Sequence, residues 1–228
     1  QGISAELISE KWGISRDDND AFAVQSHQRA AQARAEGRFD NEIVPIEVET
    51  EDGRVLFSQD EGIRPDSSME TLAKLKPAFK EDGVITAGNS SQITDGASAL
   101  LIMSEEKAKA LGLKPRARFV NFSLAGADPR MMLTAPIPAT AKVLERAGLR
   151  IEDIDLVEIN EAFAAQVIPS AKHLGIDYDK LNVHGGAIAL GHPFGMTGAR
   201  IMTTLINGLQ HTGKTIGMES MCVGGGQG

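Results

Sequence analysis

The stretch Leu156-Val157-Glu158-Ile159-Asn160-Glu161-Ala162-Phe163 decides the fold class. Its first four residues are an apolar segment of strand length, and the run from Glu161 to Leu174 reads as a helix. Outward toward the C-terminus come Val183, a helix over Gly198 to Leu209 and a strand over Thr215 to Met221. Toward the N-terminus lie a helix from Pro138 to Ala147 ended by Gly148, a strand from Ala117 to Phe122, and the linker Lys114-Pro115. Before the linker, a strand Leu100-Leu101-Ile102-Met103 leads to a helix that Ser104 caps and Gly112 stops. Strand and helix alternate repeatedly, the pattern of a layered α/β fold.

Farther out the character changes. Residues 1–38 read as two helices, the second with Ser15 as cap, Asp17 and Asp18 at the positive end of its dipole and Gly37 as its stop. Alternation from Glu42 to Phe57 about an Asp52-Gly53 turn predicts a hairpin. Ser58 to Lys80 is polar and Pro-punctuated, with Met69, Leu72 and Leu75 spaced for one short helix in an irregular, exposed subdomain. The chain opens Gln1-Gly2 with no initiator Met and ends in a glycine-rich turn, so it is expected to be part of a longer polypeptide.

With 228 residues, 42% apolar and 24% charged, the chain can form one large core or two small ones and is neither a stapled mini-protein nor a disordered tail. Thirty-one acidic against 23 basic side chains give a net charge of −8, which repels phosphate polymers and anionic lipid. Neither nucleic acid nor a membrane is expected as a partner. The single cysteine, Cys222, cannot form an intrachain disulfide, and no secretion signal is visible, so a reducing, cytoplasmic setting is expected.

Three segments put reactive or hydrogen-bonding groups where a strand gives way to a loop or helix. They are Asn160-Glu161-Ala162-Phe163, Gly185-Gly186-Ala187-Ile188-Ala189-Leu190-Gly191-His192-Pro193, and Cys222-Val223-Gly224-Gly225-Gly226. His192, between Gly191 and Pro193 and close before a helix start, suits a general base, though a hydrogen-bonded loop histidine has the same local sequence. Cys222 precedes glycine amides that can converge on an oxyanion, though a lone cysteine is commonly a small buried hydrophobe. Asn160 reads as the cap of the next helix or as a group that orients a water, and Glu161 as a first-turn dipole partner in preference to a catalytic carboxylate. The glycines before His192 lack the lysine of a phosphate loop, and the terminal glycines lack a following helix and a ribose-binding acid. Five histidines and one cysteine show no metal-ligand spacing, so no metal is expected.

In this order, with Asn160, His192 and Cys222 separated by 32 and 30 positions, the three segments resemble the thiolase family. Gly2-Ile3-Ser4-Ala5-Glu6, Asp60-Glu61-Gly62-Ile63-Arg64-Pro65, Thr86-Ala87-Gly88-Asn89-Ser90-Ser91 and Pro136-Ile137-Pro138-Ala139 extend the resemblance over most of the chain. The resemblance implies a layered α-β-α-β-α fold, partial here. Residues 1–93 would be the coenzyme A-binding lid, 94–114 the closing strand and helix of the first half, and 115–228 the second half.

The family's nucleophilic cysteine would lie upstream of Gln1, so this chain alone is expected to turn nothing over. The implied reaction is thiolytic cleavage of a 3-ketoacyl-CoA, or the reverse Claisen condensation. His192 would serve the nucleophile and Cys222 the α-carbon proton, its thiol pKa drawn down by a nearby donor. Asn160, through a water, and His192 would hold the enolate oxygen, and the Gly224 amide the other oxyanion. Arg64 and Thr71 are implied near the adenosine end of coenzyme A, and Ala87, Gly88 and Ser91 along its pantetheine arm. Phe79, Met132, Ala162 and Phe163 would border the acyl channel. Coenzyme A enters as substrate, no cofactor is held permanently, and a homodimer or homotetramer is implied. Two rivals stand beside this reading: a biosynthetic acetoacetyl-CoA thiolase, and a CoA- or lipid-binding module without catalysis.

Overall fold

The computed structural model describes residues 1–228. In chain order it contains α1 (Gly2–Trp12), α2 (Arg16–Ala35), β1 (Ile46–Thr50), β2 (Gly53–Phe57), α3 (Met69–Ala73), α4 (Glu105–Ala110), α5 (Pro136–Ala147), β3 (Leu156–Ile159), α6 (Ala164–Leu174), α7 (Ala187–Leu190), α8 (Thr197–Thr212) and β4 (Gly217–Ser220). No helix is long and apolar enough to cross a membrane.

The strands β3 and β4 pair in parallel, Leu156 opposite Gly217 and Ile159 opposite Ser220. Side chains alternate across a strand, so the pair shows two different faces. Leu156 lies under Gly208, and Gly217 under Leu205 and Leu209, so the face carrying Leu156, Glu158, Gly217 and Glu219 meets α8. On the other face Val157, Ile159 and Met218 pack with Ala164, Val167 and Ala171 of α6, and Phe22 and Ala23 of α2 join the same core. Burial on both faces explains why β3 reads as an apolar run rather than an alternating one.

Ser15 caps α2 as expected: its hydroxyl accepts from the Asp18 N–H, while the Asp18 carboxylate accepts from the Ser15 N–H. The hairpin also forms, β1 antiparallel to β2 with Thr50 opposite Gly53. Every residue of both its strands is exposed.

Two expected strands do not form. Leu100 to Met103 and Ala117 to Phe122 carry no ladder, and the sheets are the two pairs just described. A strand exists only where its N–H and C=O groups meet a neighbour. These segments have none, and Leu101, Ile102, Phe119 and Phe122 stand 80%, 63%, 51% and 74% exposed. The helix expected from Glu161 begins at Ala164, and that from Gly198 begins at Thr197.

Candidate active site

At the C-terminal edge of the parallel pair the chain leaves both strands with polar residues. The Asn160 N–H donates to the Ser220 carbonyl at 3.0 Å, so Asn160 extends β3 beside the exit of β4 toward Cys222. It does not cap α6. That helix starts after Phe163 without a side-chain cap, and the first free amide, Ala164 N–H, donates instead to the Asn89 carbonyl of a distant loop at 3.0 Å.

The imidazole of His192 reaches Asn160 from the other side. Gly191 turns the chain out of α7 at φ 89°, and a Cβ there would lie 2.3 Å from the Thr94 hydroxyl oxygen, so glycine is required on both counts. His192 N–H then donates to the Gln92 carbonyl at 3.0 Å. Its Nε2 lies 3.3 Å from Asn160 Nδ2, and its Nδ1 lies 2.6 Å from the Thr197 hydroxyl.

Hydrogen-bond logic then assigns the tautomer. The Thr197 hydroxyl donates to the Pro193 carbonyl at 2.9 Å, which can only accept. Thr197 must therefore accept from Nδ1–H, and the neutral ring presents its Nε2 lone pair to the Asn160 amide. Burial lowers the pKa of His192 below the ordinary histidine value, and the Arg200 guanidinium lowers it further. The ring is held neutral with its basic nitrogen at the strand ends. Thr197 is the residue that sequence reasoning missed; a hydroxyl five residues beyond His192 was the available signal.

Cys222 is buried among Ala162, Phe163, Met132, Ile8 and Ile85. Its sulfur makes no hydrogen bond to His192 or Asn160, and burial pushes its pKa up to about 11. This corrects the expectation of a depressed thiol: desolvation outweighs the backbone hydrogen bond at Cys222 that pulls the other way. Gly224, two residues on, is exposed, and nothing stands within 4 Å of where its Cβ would be.

Glu161 also departs from its expected role. It is 1% exposed and lies before the helix, not in its first turn. Its carboxylate accepts from the Ser26 hydroxyl at 2.6 Å, the Asn182 amide at 2.9 Å and the Ile188 N–H at 3.2 Å. It thereby ties α2 to the backbone that leads into His192.

The residues expected along the coenzyme fall into two groups. Ser91 N–H donates to the Ala162 carbonyl at 3.0 Å, which joins the small-residue segment to the strand ends. Phe79 packs edge-on against Phe163 with ring centroids 6.0 Å apart, and Met132 shares the apolar cluster of Cys222 and Ala162. Arg64 is exposed and forms no ion pair, while its N–H donates to His27 Nδ1 at 3.1 Å. Ala87 is exposed, but Gly88 packs under α3, where a Cβ would meet Leu72 and Leu75 at 2.6 Å. Thr71 is engaged too: its hydroxyl accepts from the Ser68 N–H at 3.0 Å as part of the α3 cap.

A parallel strand pair whose C-terminal edge gathers a carboxamide and a tautomer-fixed imidazole defines an α/β protein with a candidate site at its strand ends. Sequence models of the thiolase N-terminal and C-terminal domains match residues 1–106 and 113–228, and the chain belongs to the thiolase family. It is 50% identical to the 3-ketoacyl-CoA thiolase of Bacillus subtilis (strain 168), with all of this chain and 60% of that protein aligned. The crystal structure of the Bacillus anthracis acetyl-CoA acetyltransferase superposes with a TM-score of 0.96 at 49% identity, over 99% of this chain and 57% of that one. Human mitochondrial 3-ketoacyl-CoA thiolase in complex with CoA superposes with a TM-score of 0.94 at 44% identity, over 99% of this chain and 56% of that one. The chain thus spans about three fifths of the length of the curated relatives it matches.

Proposed function

We propose that this chain is the lid and second-half portion of a thiolase-type acyltransferase, acting on 3-ketoacyl-CoA by thiolysis or, in reverse, by Claisen condensation. The observation that carries the reading is the His192 ring, fixed by Thr197 with its Nε2 lone pair turned toward the Asn160 amide. In this reading Nε2 takes the proton of a nucleophilic thiol, and the same nitrogen, now protonated, donates to the thioester oxygen. Asn160 Oδ1 is buried without a partner, an acceptor left for the water that would share that oxygen.

Cys222 acts as the proton source and sink for the acetyl α-carbon. With a pKa of about 11 it rests as the thiol and first gives a proton in the condensation's reverse, thiolysis, where the departing enolate must be protonated. The Gly224 N–H, free of protein acceptors, would serve the second oxyanion. Residues 1–93 act as the lid, with 94–114 closing the first half and 115–228 forming the second. Arg64, unpaired, would meet phosphate, and Ala87, Gly88 and Ser91 would border the pantetheine arm. Phe79, Met132, Ala162 and Phe163 would face the acyl chain. Thr71 could reach the adenine only by giving up its cap.

The names of the relatives support a role in fatty-acid metabolism, and a lone cysteine fits a reducing, cytoplasmic compartment. Assembly as a homodimer or homotetramer belongs to the same reading.

The test is thiolysis of acetoacetyl-CoA by the intact protein. His192→Gln is expected to lower kcat by about 10²- to 10⁴-fold, the usual worth of a positioned acid–base group. Activity of the variant within threefold of the parent would overturn the role of His192, whereas a parent that binds CoA but shows no thiolysis would favour the non-catalytic binding module.

A further inference from the structure

The segment that carries Arg64 is held to the body of the molecule at three successive residues. Gly62 passes so close over α7 that a Cβ there would lie 2.8 Å from the Ala189 carbonyl oxygen, and its own carbonyl accepts from Gln92 Nε2 at 2.9 Å. The Ile63 side chain is buried in an apolar cluster with Ala30 and Ala33 of α2 and with Ala189. The Arg64 N–H donates to His27 Nδ1 at 3.1 Å. His27 lies one turn before Ala30 on the same stripe of α2 and is 2% exposed, a buried imidazole that the reaction just proposed does not use.

Beyond Arg64 the chain swings out. Residues 64–66 are exposed, Pro65 has no N–H to give, and the Ser67 N–H turns back onto the Arg64 carbonyl at 3.1 Å before Ser68 caps α3. Arg64 is thus the last residue tied to the body ahead of an open turn, and the tie is its main-chain N–H. An acceptor fixed on that N–H fixes the point from which the side chain starts, while the side chain itself forms no ion pair. Because Nδ1 accepts, the neutral ring carries its proton on Nε2. Burial first, and then the Arg64 charge, lower the His27 pKa to about 4 against a pull upward from Asp66, so Nδ1 remains an acceptor at neutral pH.

We propose that His27 is a positioning residue for coenzyme A: by accepting the Arg64 N–H from its buried place on α2, it sets the root of the arginine so that the guanidinium meets a phosphate of the nucleotide end. The inference rests on the reading of Arg64 as a phosphate contact. It concerns binding and not the chemical step, because the phosphates are held alike in the ground state and the transition state. Loss of such a contact raises KM and leaves kcat. The imidazole touches neither substrate nor reacting atoms and acts only through Arg64.

The experiment measures thiolysis by the intact protein with two substrate pairs: acetoacetyl-CoA with CoA, and acetoacetyl-pantetheine with pantetheine, which carry no phosphate. His27→Leu removes the acceptor and keeps an apolar side chain in its place. It is expected to raise KM for CoA by about three- to tenfold, the effect of one lost hydrogen bond, with kcat within about twofold of the parent. Its KM with the pantetheine pair should match the parent's. His27→Asn, whose Oδ1 can stand in for Nδ1, should restore most of the affinity for CoA. In the double variant His27→Leu with Arg64→Ala, KM for CoA should be no higher than in Arg64→Ala alone, because His27 acts through the arginine. In the unmutated protein the His27 Nδ1 resonance should move when CoA is added and stay when pantetheine is added, a readout that does not depend on any variant folding. Equal losses with both substrate pairs, or an Nδ1 resonance blind to CoA, overturns the inference. A KM for CoA raised by Arg64→Ala but not by His27→Leu overturns the inference alone, whereas a KM unmoved by Arg64→Ala overturns the reading of Arg64 and the inference with it.

Discussion

Two strand pairs of nearly equal length make opposite use of their sequences. The β3 and β4 pair is parallel, every residue of β3 is buried, and its exits carry Asn160 and Cys222. The β1 and β2 pair is antiparallel, every residue is exposed, and it ends in open loops. A parallel pair requires a long crossover, here the chain from α6 through α8, and that crossover delivers His192 and Thr197 to the strand ends. A hairpin closes locally and delivers nothing. Chemistry collects where the topology forces distant segments together, and the buried face is the part most sensitive to charge.

That sensitivity gives the largest expected effect. Burial raises the folded-state pKa of Glu158 from an ordinary carboxyl value to about 8. The folded protein then binds this proton more tightly than the unfolded chain does. The associated stability is fully present below the unfolded pKa of about 4.3 and is lost as pH rises through about 8. Denaturant midpoints measured across that window should fall with rising pH, and Glu158→Gln should remove much of the fall. A parent profile that rises through the window would show Glu158 to be ionised and paired, and would erase this contrast with the hairpin, whose Glu47 and Glu49 are solvated.

A smaller effect is expected at Thr197. Thr197→Val keeps the shape but removes the acceptor of Nδ1–H, so both tautomers of His192 become accessible. Losing a hydrogen bond worth roughly 1 kcal/mol corresponds to about a five- to tenfold lower kcat, with KM little changed. Thr197→Ser should restore most of the rate, and the nitrogen shifts of the ring should report a mixed tautomer only in the valine variant. Unaltered shifts in Thr197→Val would mean that Asn160 alone sets the ring.

The sequence made much of this legible and some of it not, for physical reasons. Asn160, His192 and Cys222 could be located because each follows a strand or a glycine turn, both local signals. Ser15 announced α2 by its own capping box. The start of α6 could not be located, since its first amide is satisfied by the Asn89 carbonyl, far away in the chain. Leu100 to Met103 and Ala117 to Phe122 have strand composition, but pairing is a property of two segments and neither has its partner. Glu161 looked like a dipole partner because the charge is visible in sequence, whereas Ser26 and Asn182, which define its role, are brought to it only by folding.

The smallest effect is the sharpest check on the comparison. Val48 and Val55 are register partners on the apolar side of the hairpin, with Ile46 and Phe57 beside them, yet Val48 is 38% and Val55 49% exposed. Val48→Thr exchanges a methyl for a hydroxyl that water can satisfy, so the unfolding free energy from denaturant titration should change by no more than about 0.5 kcal/mol. The same exchange at Val157, which is 2% exposed in the core under α6, buries a hydroxyl among apolar groups and should cost about 1–3 kcal/mol. Equal losses at the two positions would mean that the hairpin face is covered in the protein as it exists. Exposure would then no longer distinguish the two pairs, leaving only the crossover to explain why one of them holds the site.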